Sequence, residues 1–211
     1  MSPSSTLVIQ TAHLGDVVLT LPLLQRLAER HGPVDVITTP AALPLVETHP
    51  AVRTAIAFDK HHTARGLGGL LQLGRVLRTS RYARVYLPHR SLRSAVLGWL
   101  VGAKEQVGFS GSSGSFLYSR RVPAPAYSHA ADRFLALAGD SGRPRLPWLA
   151  LGERDRSRAH AWLAQRGVQG SFFVLAPGAR WGTKRWPYFP ELANSLDSSC
   201  VVIGASEDAL L

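Results

Sequence analysis

The stretch "QTAHLGDVVLT", residues 10–20, decides how this chain is read. An apolar run, Leu7-Val8-Ile9, leads into it, and "LTLPLLQRLAERHG", residues 19–32, leaves it with the leucine spacing of a helix. Strand, tight glycine turn and helix make the opening unit of a nucleotide-binding type of sheet. Such a turn ordinarily carries several glycines, so that phosphate can approach the backbone. Here it carries one acid, Asp16.

Strand and helix signals alternate outward from that turn. "TLVIQ" (6–10), "VDVITTP" (34–40), "VRTAIAFD" (52–59), "ARVYLPH" (83–89) and "EQVGF" (105–109) read as strands. Between them, "VVLTLPLLQRLAERHG" (17–32), "ALPLVETHP" (42–50), "LGGLLQLGRVLRTSRY" (67–82) and "SLRSAVLGWLVGA" (91–103) read as helices. This order predicts a doubly wound parallel sheet covered on both faces. Ligands of such sheets sit at the carboxyl ends of the strands, the edge on which Asp16, Asp59 and the segment after "VYLPH" fall.

Around "SGRPRLPWLALGERD" (141–155) prolines and glycines break the pattern, as a linker does. A helix, "RSRAHAWLAQRG" (156–167), a strand, "SFFVLAPG" (171–178), a helix, "PYFPELANSL" (187–196), and a strand, "CVVIG" (200–204), then begin it again. The expected organisation is one domain over 1–150, followed over 151–211 by a linker and the incomplete start of a second. Two strands do not cover their own apolar faces.

Composition narrows the function. Apolar residues make up 45% and charged residues 18%, as in a folded protein rather than a disordered one. Lys and Arg number 24 against 14 Asp and Glu, with a pI near 10.8, which points to an anionic partner: nucleic acid, an acidic membrane surface or a phosphorylated substrate. Cys200 is the single cysteine, so no internal disulfide forms, and in "SSCVVIG" it reads as a small core hydrophobe. The N-terminus lacks the pattern of a signal peptide, and "SAVLGWLVGA" (94–103) is too short to span a bilayer. A cytoplasmic protein is expected.

Two segments carry chemistry, each with a plainer alternative. Asp16 either presents a carboxylate, ionised at neutral pH, at the positive end of the following helix, or simply caps that helix. In "LAPGARWGTKRWPYFPELA" (175–193) a glycine turn, a helix start and Lys184 make a cradle for a diphosphate. The alternative there is a solvated basic loop with Trp186 anchored in the core.

Together "QTAHLGDVVLTLPLL" (10–24), "RSLRSA" (90–95), "SFLYSRRV" (115–122), "HAADRFLAL" (129–137) and the 175–193 segment resemble, in order, the heptosyltransferases of glycosyltransferase family nine. The opening "QTA" leans towards the members that add the second heptose. The resemblance implies a GT-B enzyme: an acceptor-binding Rossmann-like domain facing a nucleotide-sugar-binding one, with no metal and no cofactor beyond the substrate ADP-heptose. It implies that Asp16 is the general base of an inverting transfer, and that Lys184, with Thr183 and the backbone near Gly178, takes the leaving diphosphate. It further implies an acceptor that is an anionic lipopolysaccharide core at the inner membrane surface, so that the protein is cytoplasmic and peripheral on that membrane, with no nucleic acid partner.

Gly15, Arg90, Arg93, Arg120, Arg121, Lys60 and Arg65 are the expected acceptor-binding residues. Arg90 and Arg93, three apart, would share a helix face. His61 and His62 do not suit a metal, because neighbours point apart on an extended chain and no acid sits at ligand spacing. "GDSGRP" (139–144) only imitates the family's Asp-Thr-Gly-Pro-Met-His donor signature, since it precedes the linker and lacks Met-His. The signature is absent from the 211 residues, so much of the donor site is expected to be missing and the chain by itself to show little transfer. The competing classes are a non-catalytic basic fragment that binds anionic lipid or nucleic acid, and a related transferase using another nucleotide-sugar. The oligomeric state is not fixed by the sequence.

Overall fold

The computed structural model describes residues 5–59, 66–126, 129–140, 146–179, 181–205 and 208. The chain forms two compact units, Met1–Leu151 and Gly152–Leu211. In the first, the strands are β1 (Thr6–Ile9), β2 (Val34–Thr38), β3 (Val52–Ala57), β4 (Arg84–Leu87), β5 (Glu105–Phe109) and β6 (Arg120–Val122). Among the described residues they form one parallel sheet in the order β3-β2-β1-β4-β5-β6. β1 and β2 are buried along their whole length, as "TLVI" and "VDVIT" require of strands covered on both faces.

Helices α1 (Leu14–His31) and α4 (Ala130–Ala136) cover one face, with Leu21, Leu24 and Leu27 against Val8, Val36 and Tyr86. Helices α2 (Gly66–Thr79) and α3 (Leu92–Val101) cover the other, with Leu70, Leu77 and Leu97 against Leu7, Ile9 and Val85. α1 stays continuous through Pro22, which is buried, and closes at Gly32 with φ +80°.

The "ALPLVETHP" helix is a short 3-10 turn, Pro40–Leu45, with prolines at its first and fifth positions. β6 and α4 have no counterpart among the expected elements. Three residues, two of them arginine, carry no strand period, and α4 is barely two turns long.

A polar cluster around the buried Asp35 fastens the edge of the sheet. Arg53 donates to both oxygens of Asp35 (Nε to Oδ1 3.0 Å, Nη2 to Oδ2 2.7 Å), and the Tyr82 hydroxyl donates to Oδ2 at 2.7 Å. Burial by itself pushes the Asp35 carboxyl up, but the hydrogen bonds from Arg53 and Tyr82 outweigh it and hold the group below its usual range. Burial, followed by the Asp35 charge, pushes the Tyr82 hydroxyl well up.

In the second unit α5 (Glu153–Gln165) precedes β7 (Phe172–Leu175), a 3-10 turn at Gly182–Lys184, α6 (Phe189–Asn194) and β8 (Ser199–Val202). β7 and β8 pair in parallel. Within this pair only Leu175 and Val201 are buried, and Cys200, read above as core, is half-buried. No helix among the described residues is long and apolar enough to cross a membrane.

Candidate active site

β2 and β3 lie to one side of β1, whereas β4 lies to the other, so the chain reverses its direction of winding between β1 and β4. Loops leave such a seam in opposite directions and open a crevice at the carboxyl edge of the strands. A cavity of about 510 Å³ occupies that edge. The segment after β1 lines it with Gln10, Thr11, His13 and Asp16, the segment after β3 with Phe58 and Asp59, and the segment after β4 with His89 and Arg90. Phe109, Arg133 and Phe134 complete the far wall.

Asp16 is the third residue of α1, within the first turn at the positive end of the helix. The N-cap position belongs to His13, which is extended (φ −71°, ψ 162°) and makes no side-chain capping bond. Asp16 therefore does not cap the helix, and among the described residues its carboxylate accepts no hydrogen bond from its own main chain. Its position is set by the backbone. The Thr20 hydroxyl donates to the Asp16 carbonyl at 2.7 Å, and Gln10 Nε2 donates to Thr20 Oγ1 at 2.8 Å. Because the Thr20 proton is committed to Asp16, its oxygen can only accept, and this fixes the orientation of the Gln10 amide. The end of β1 and the first turn of α1 are thereby tied together.

A second polar cluster spans the seam. His89 Nδ1 lies 3.3 Å from both Thr11 Oγ1 and Ser94 Oγ, and the two hydroxyls are 3.3 Å apart. Thr11 follows β1, His89 follows β4 and Ser94 sits in the first turn of α3. No local sequence signal joins residues that far apart.

The cations divide into two groups. Arg90 lines the cavity with its guanidinium 5.4 Å from the centre of the Phe109 ring, and Arg93 lies 5.5 Å from the centre of Phe58, also a wall residue. Both contacts are cation–π pairs that orient the planar head. The two arginines do not share a helix face, because Ser91 is the N-cap of α3 and Arg90 precedes the helix. Arg133, within the quoted "HAADRFLAL", lines the cavity although it was not among the expected residues.

Arg120 and Arg121 are not brought to the cavity. Arg120 pairs with Glu105 (3.1 Å) and donates to the Leu137 carbonyl (3.0 Å), while Glu105 also pairs with Arg84 (3.0 Å) at the amino edge of the sheet. Arg121 donates to the Ser115 carbonyl at 2.9 Å on the surface. Both side chains have local acceptors. Gly15 is the exposed second residue of α1, with open space where a side chain would project. Lys60, His61, His62 and Arg65 lie outside the described residues.

In the second unit Thr183 and Lys184 are exposed on the 3-10 turn, whose shape is held by Lys184 N to Trp181 O (2.9 Å) and Arg185 Nε to Ala179 O (2.9 Å). Trp186 is 49% exposed and stacks edge-on with Tyr188 and Phe189, so it is no core anchor. A side chain at Gly178 would run into the Asp208 carboxylate, which accepts from Ala205 N at 2.9 Å. The glycine there accommodates an acid of the chain itself.

A profile of glycosyltransferase family 9 (heptosyltransferase) matches residues 70–209. Lipopolysaccharide heptosyltransferase 2 of Escherichia coli (strain K12) is 29% identical over an alignment of 225 residues, covering 96% of this chain and 64% of that protein. Lipooligosaccharide heptosyltransferase 2 of Haemophilus influenzae is 27% identical over 202 residues, covering 87% and 57% respectively. Among solved structures, the glycosyl transferase family 9 protein from Veillonella parvula DSM 2008 superposes with a TM-score of 0.84 at 22% identity, covering 98% of this chain and 64% of that one. E. coli ADP-heptose lps heptosyltransferase II superposes with a TM-score of 0.79 at 26% identity, covering 97% and 65%. The parallel α/β fold is that of these GT-B structures, and the chain spans 64% and 57% of the length of these two curated relatives.

Proposed function

From the premise that the chain belongs to glycosyltransferase family 9, the heptosyltransferases, we propose that it serves the transfer of a heptose from ADP-heptose to the inner core of lipopolysaccharide, with Asp16 as general base. The observation that carries this reading is the placement of the Asp16 carboxylate on the wall of the seam cavity, without a main-chain partner of its own.

In the proposed step an acceptor hydroxyl gives its proton to Asp16 as its oxygen attacks the anomeric carbon. The bond from that carbon to the diphosphate oxygen breaks on the opposite face, ADP leaves with the bonding pair, and configuration inverts. A weak base suffices, because the hydroxyl becomes acidic only as the new bond forms. The charge gathering on the diphosphate is met by Lys184 with Thr183, whereas the main chain at Gly178 faces the Asp208 carboxylate and is not assigned to it; no metal takes part in the proposed step. Arg90 and Arg133 give the cavity cationic walls suited to the carboxylates and phosphates of such an acceptor. The protein works at the cytoplasmic face of the inner membrane, where a lipid-anchored core is presented.

The test is heptose transfer read by mass gain on a core precursor. In the transfer-competent protein, Asp16→Asn lowers turnover about 10²- to 10⁴-fold and leaves acceptor affinity in place. Unchanged turnover in that variant ends the assignment of the base.

A further inference from the structure

Charge and apolar surface are distributed unequally over the two faces of the sheet. The acids Glu29, Glu47, Asp132 and Asp140 belong to the face covered by α1, the 3-10 turn and α4. Residues 66–126, which build α2, α3 and the strands and turns beside them, hold nine Lys and Arg against the single acid Glu105. Glu105 is already paired with Arg84 and Arg120 at the amino edge, so it does not offset the charge on the outer surface of α2 and α3.

That same surface carries large apolar side chains in solvent. Leu92 and Trp99 are seven apart on α3, two turns along one stripe, and Trp99 is 59% exposed. Phe116, 67% exposed, belongs to a 3-10 turn (Ser115–Leu117) that packs on the start of α3, where Gly114 lies against Ala95 and Leu92. Leu71 and Val76 are exposed on the neighbouring α2.

Cations frame the apolar stripe at both ends. Arg121 is fastened to the Ser115 carbonyl beside Phe116, and Arg78 lies over Gly102 at the close of α3. Arg75 shares the Leu71 and Arg78 stripe of α2. A soluble helix ordinarily turns charged residues outward, whereas α3, "LRSAVLGWLV", has no charged residue beyond Arg93 and is apolar on its solvent side as well.

We propose that the outer surface of α2, α3 and the Ser115–Leu117 turn is a docking face for an anionic phospholipid bilayer, with Trp99 and Phe116 entering the headgroup boundary and the surrounding arginines meeting lipid phosphate. Aromatic side chains flanked by cations, with no acid between them, match the chemistry of an anionic interface. A nucleic acid duplex would be met by cations alone and would leave Trp99, Phe116 and Leu92 in water. The seam cavity opens beside this face, since α3 starts two residues after Arg90, and an acceptor held in the bilayer by its own lipid would reach Asp16 without leaving the surface. The inference rests on the proposed peripheral association and adds the face that carries it.

The experiment is liposome flotation of the 211-residue chain with phosphatidylcholine vesicles and with mixed phosphatidylcholine–phosphatidylglycerol vesicles, alongside duplex DNA binding in the same buffer. The chain is expected to float with the anionic vesicles only, and to bind them more tightly than DNA. The pair Trp99→Ser with Phe116→Ser lowers the bound fraction about ten-fold, as does Arg75→Glu with Arg78→Glu, whose side chains are exposed. The pair Trp162→Ser with Trp186→Ser, exposed aromatics of the second unit, leaves it unchanged. Circular dichroism verifies that each variant is folded.

If the unaltered chain floats but the α3 variants float equally well, the face is wrong and the peripheral association stands. If the chain ignores anionic vesicles, or binds DNA as tightly, both fall. The chemical role of Asp16 is read separately, on a soluble delipidated acceptor.

Discussion

The strands of the two units have similar apolar sequences and different surroundings. In β1, Leu7, Val8 and Ile9 have no exposed surface, whereas in β7, Phe172, Phe173 and Val174 are 37%, 47% and 53% exposed. A run of apolar residues fixes the conformation of a strand, but neighbouring strands and helices decide whether it is buried. The candidate residues follow the same division. In the first unit Asp16 is positioned by a strand end, a buried glutamine and a threonine, while in the second Lys184 projects from an exposed turn held by its own backbone.

Mutations can break or sharpen this contrast. The largest effect is expected on turnover, where the Asp16→Asn loss of about 10²- to 10⁴-fold should exceed that of Lys184→Ala, which on the proposed reading removes one charge-assisted contact to donor phosphate and costs roughly ten-fold in donor affinity. A steady-state comparison of the two variants measures this, and the reverse order would mean that Lys184 contributes more than Asp16. Next in size is stability. Val36→Ala, in the buried β2, should cost about 2 kcal/mol through lost contacts and a residual cavity, whereas Val174→Ala in β7 should stay within about 0.5 kcal/mol. Urea denaturation of both variants decides it, and equal costs would mean that β7 is covered in solution.

The smallest effect concerns pH. His49 is buried, accepts from Ala51 N at 3.2 Å and stands edge-on to Trp148 in the segment before the second unit. Burial pushes its imidazole below the ordinary 6.5, so the folded chain refuses a proton that the unfolded chain takes up. Its contribution is complete above pH 6.5 and is lost as the pH falls from there towards the depressed folded value. His49→Gln should flatten that part of the melting-temperature profile, and an unchanged profile would remove His49 as its source.

The hydrophobic pattern made the strands from β1 to β5 and the helices α1, α2 and α3 legible, together with the edge on which the cavity lies, because these depend on burial periodicity. β6 was not legible, since a three-residue edge strand with two arginines looks like a basic loop. The pairing of Arg90 with Arg93 failed on one residue, Ser91, whose capping of α3 places Arg90 outside the helix. The pairing of Arg120 with Glu105 was not legible, because Glu105 sits on the adjacent strand and a cross-strand partner cannot be seen from either segment alone. His89, Thr11 and Ser94 meet only once the sheet has formed. The second unit was legible as strands and helices, but the carboxylate that fills the space at Gly178 was not.

The reversal of winding between β1 and β4 separates two tasks within a single crevice. The proposed proton acceptor stands in the first turn of α1, while Arg90 and His89 belong to the segment after β4, which departs the opposite way. Exchange of Arg90, which lies outside α3 and lines the cavity, can therefore suit a different sugar while residues 13–16 keep their shape, so that selectivity can drift during evolution without endangering reactivity.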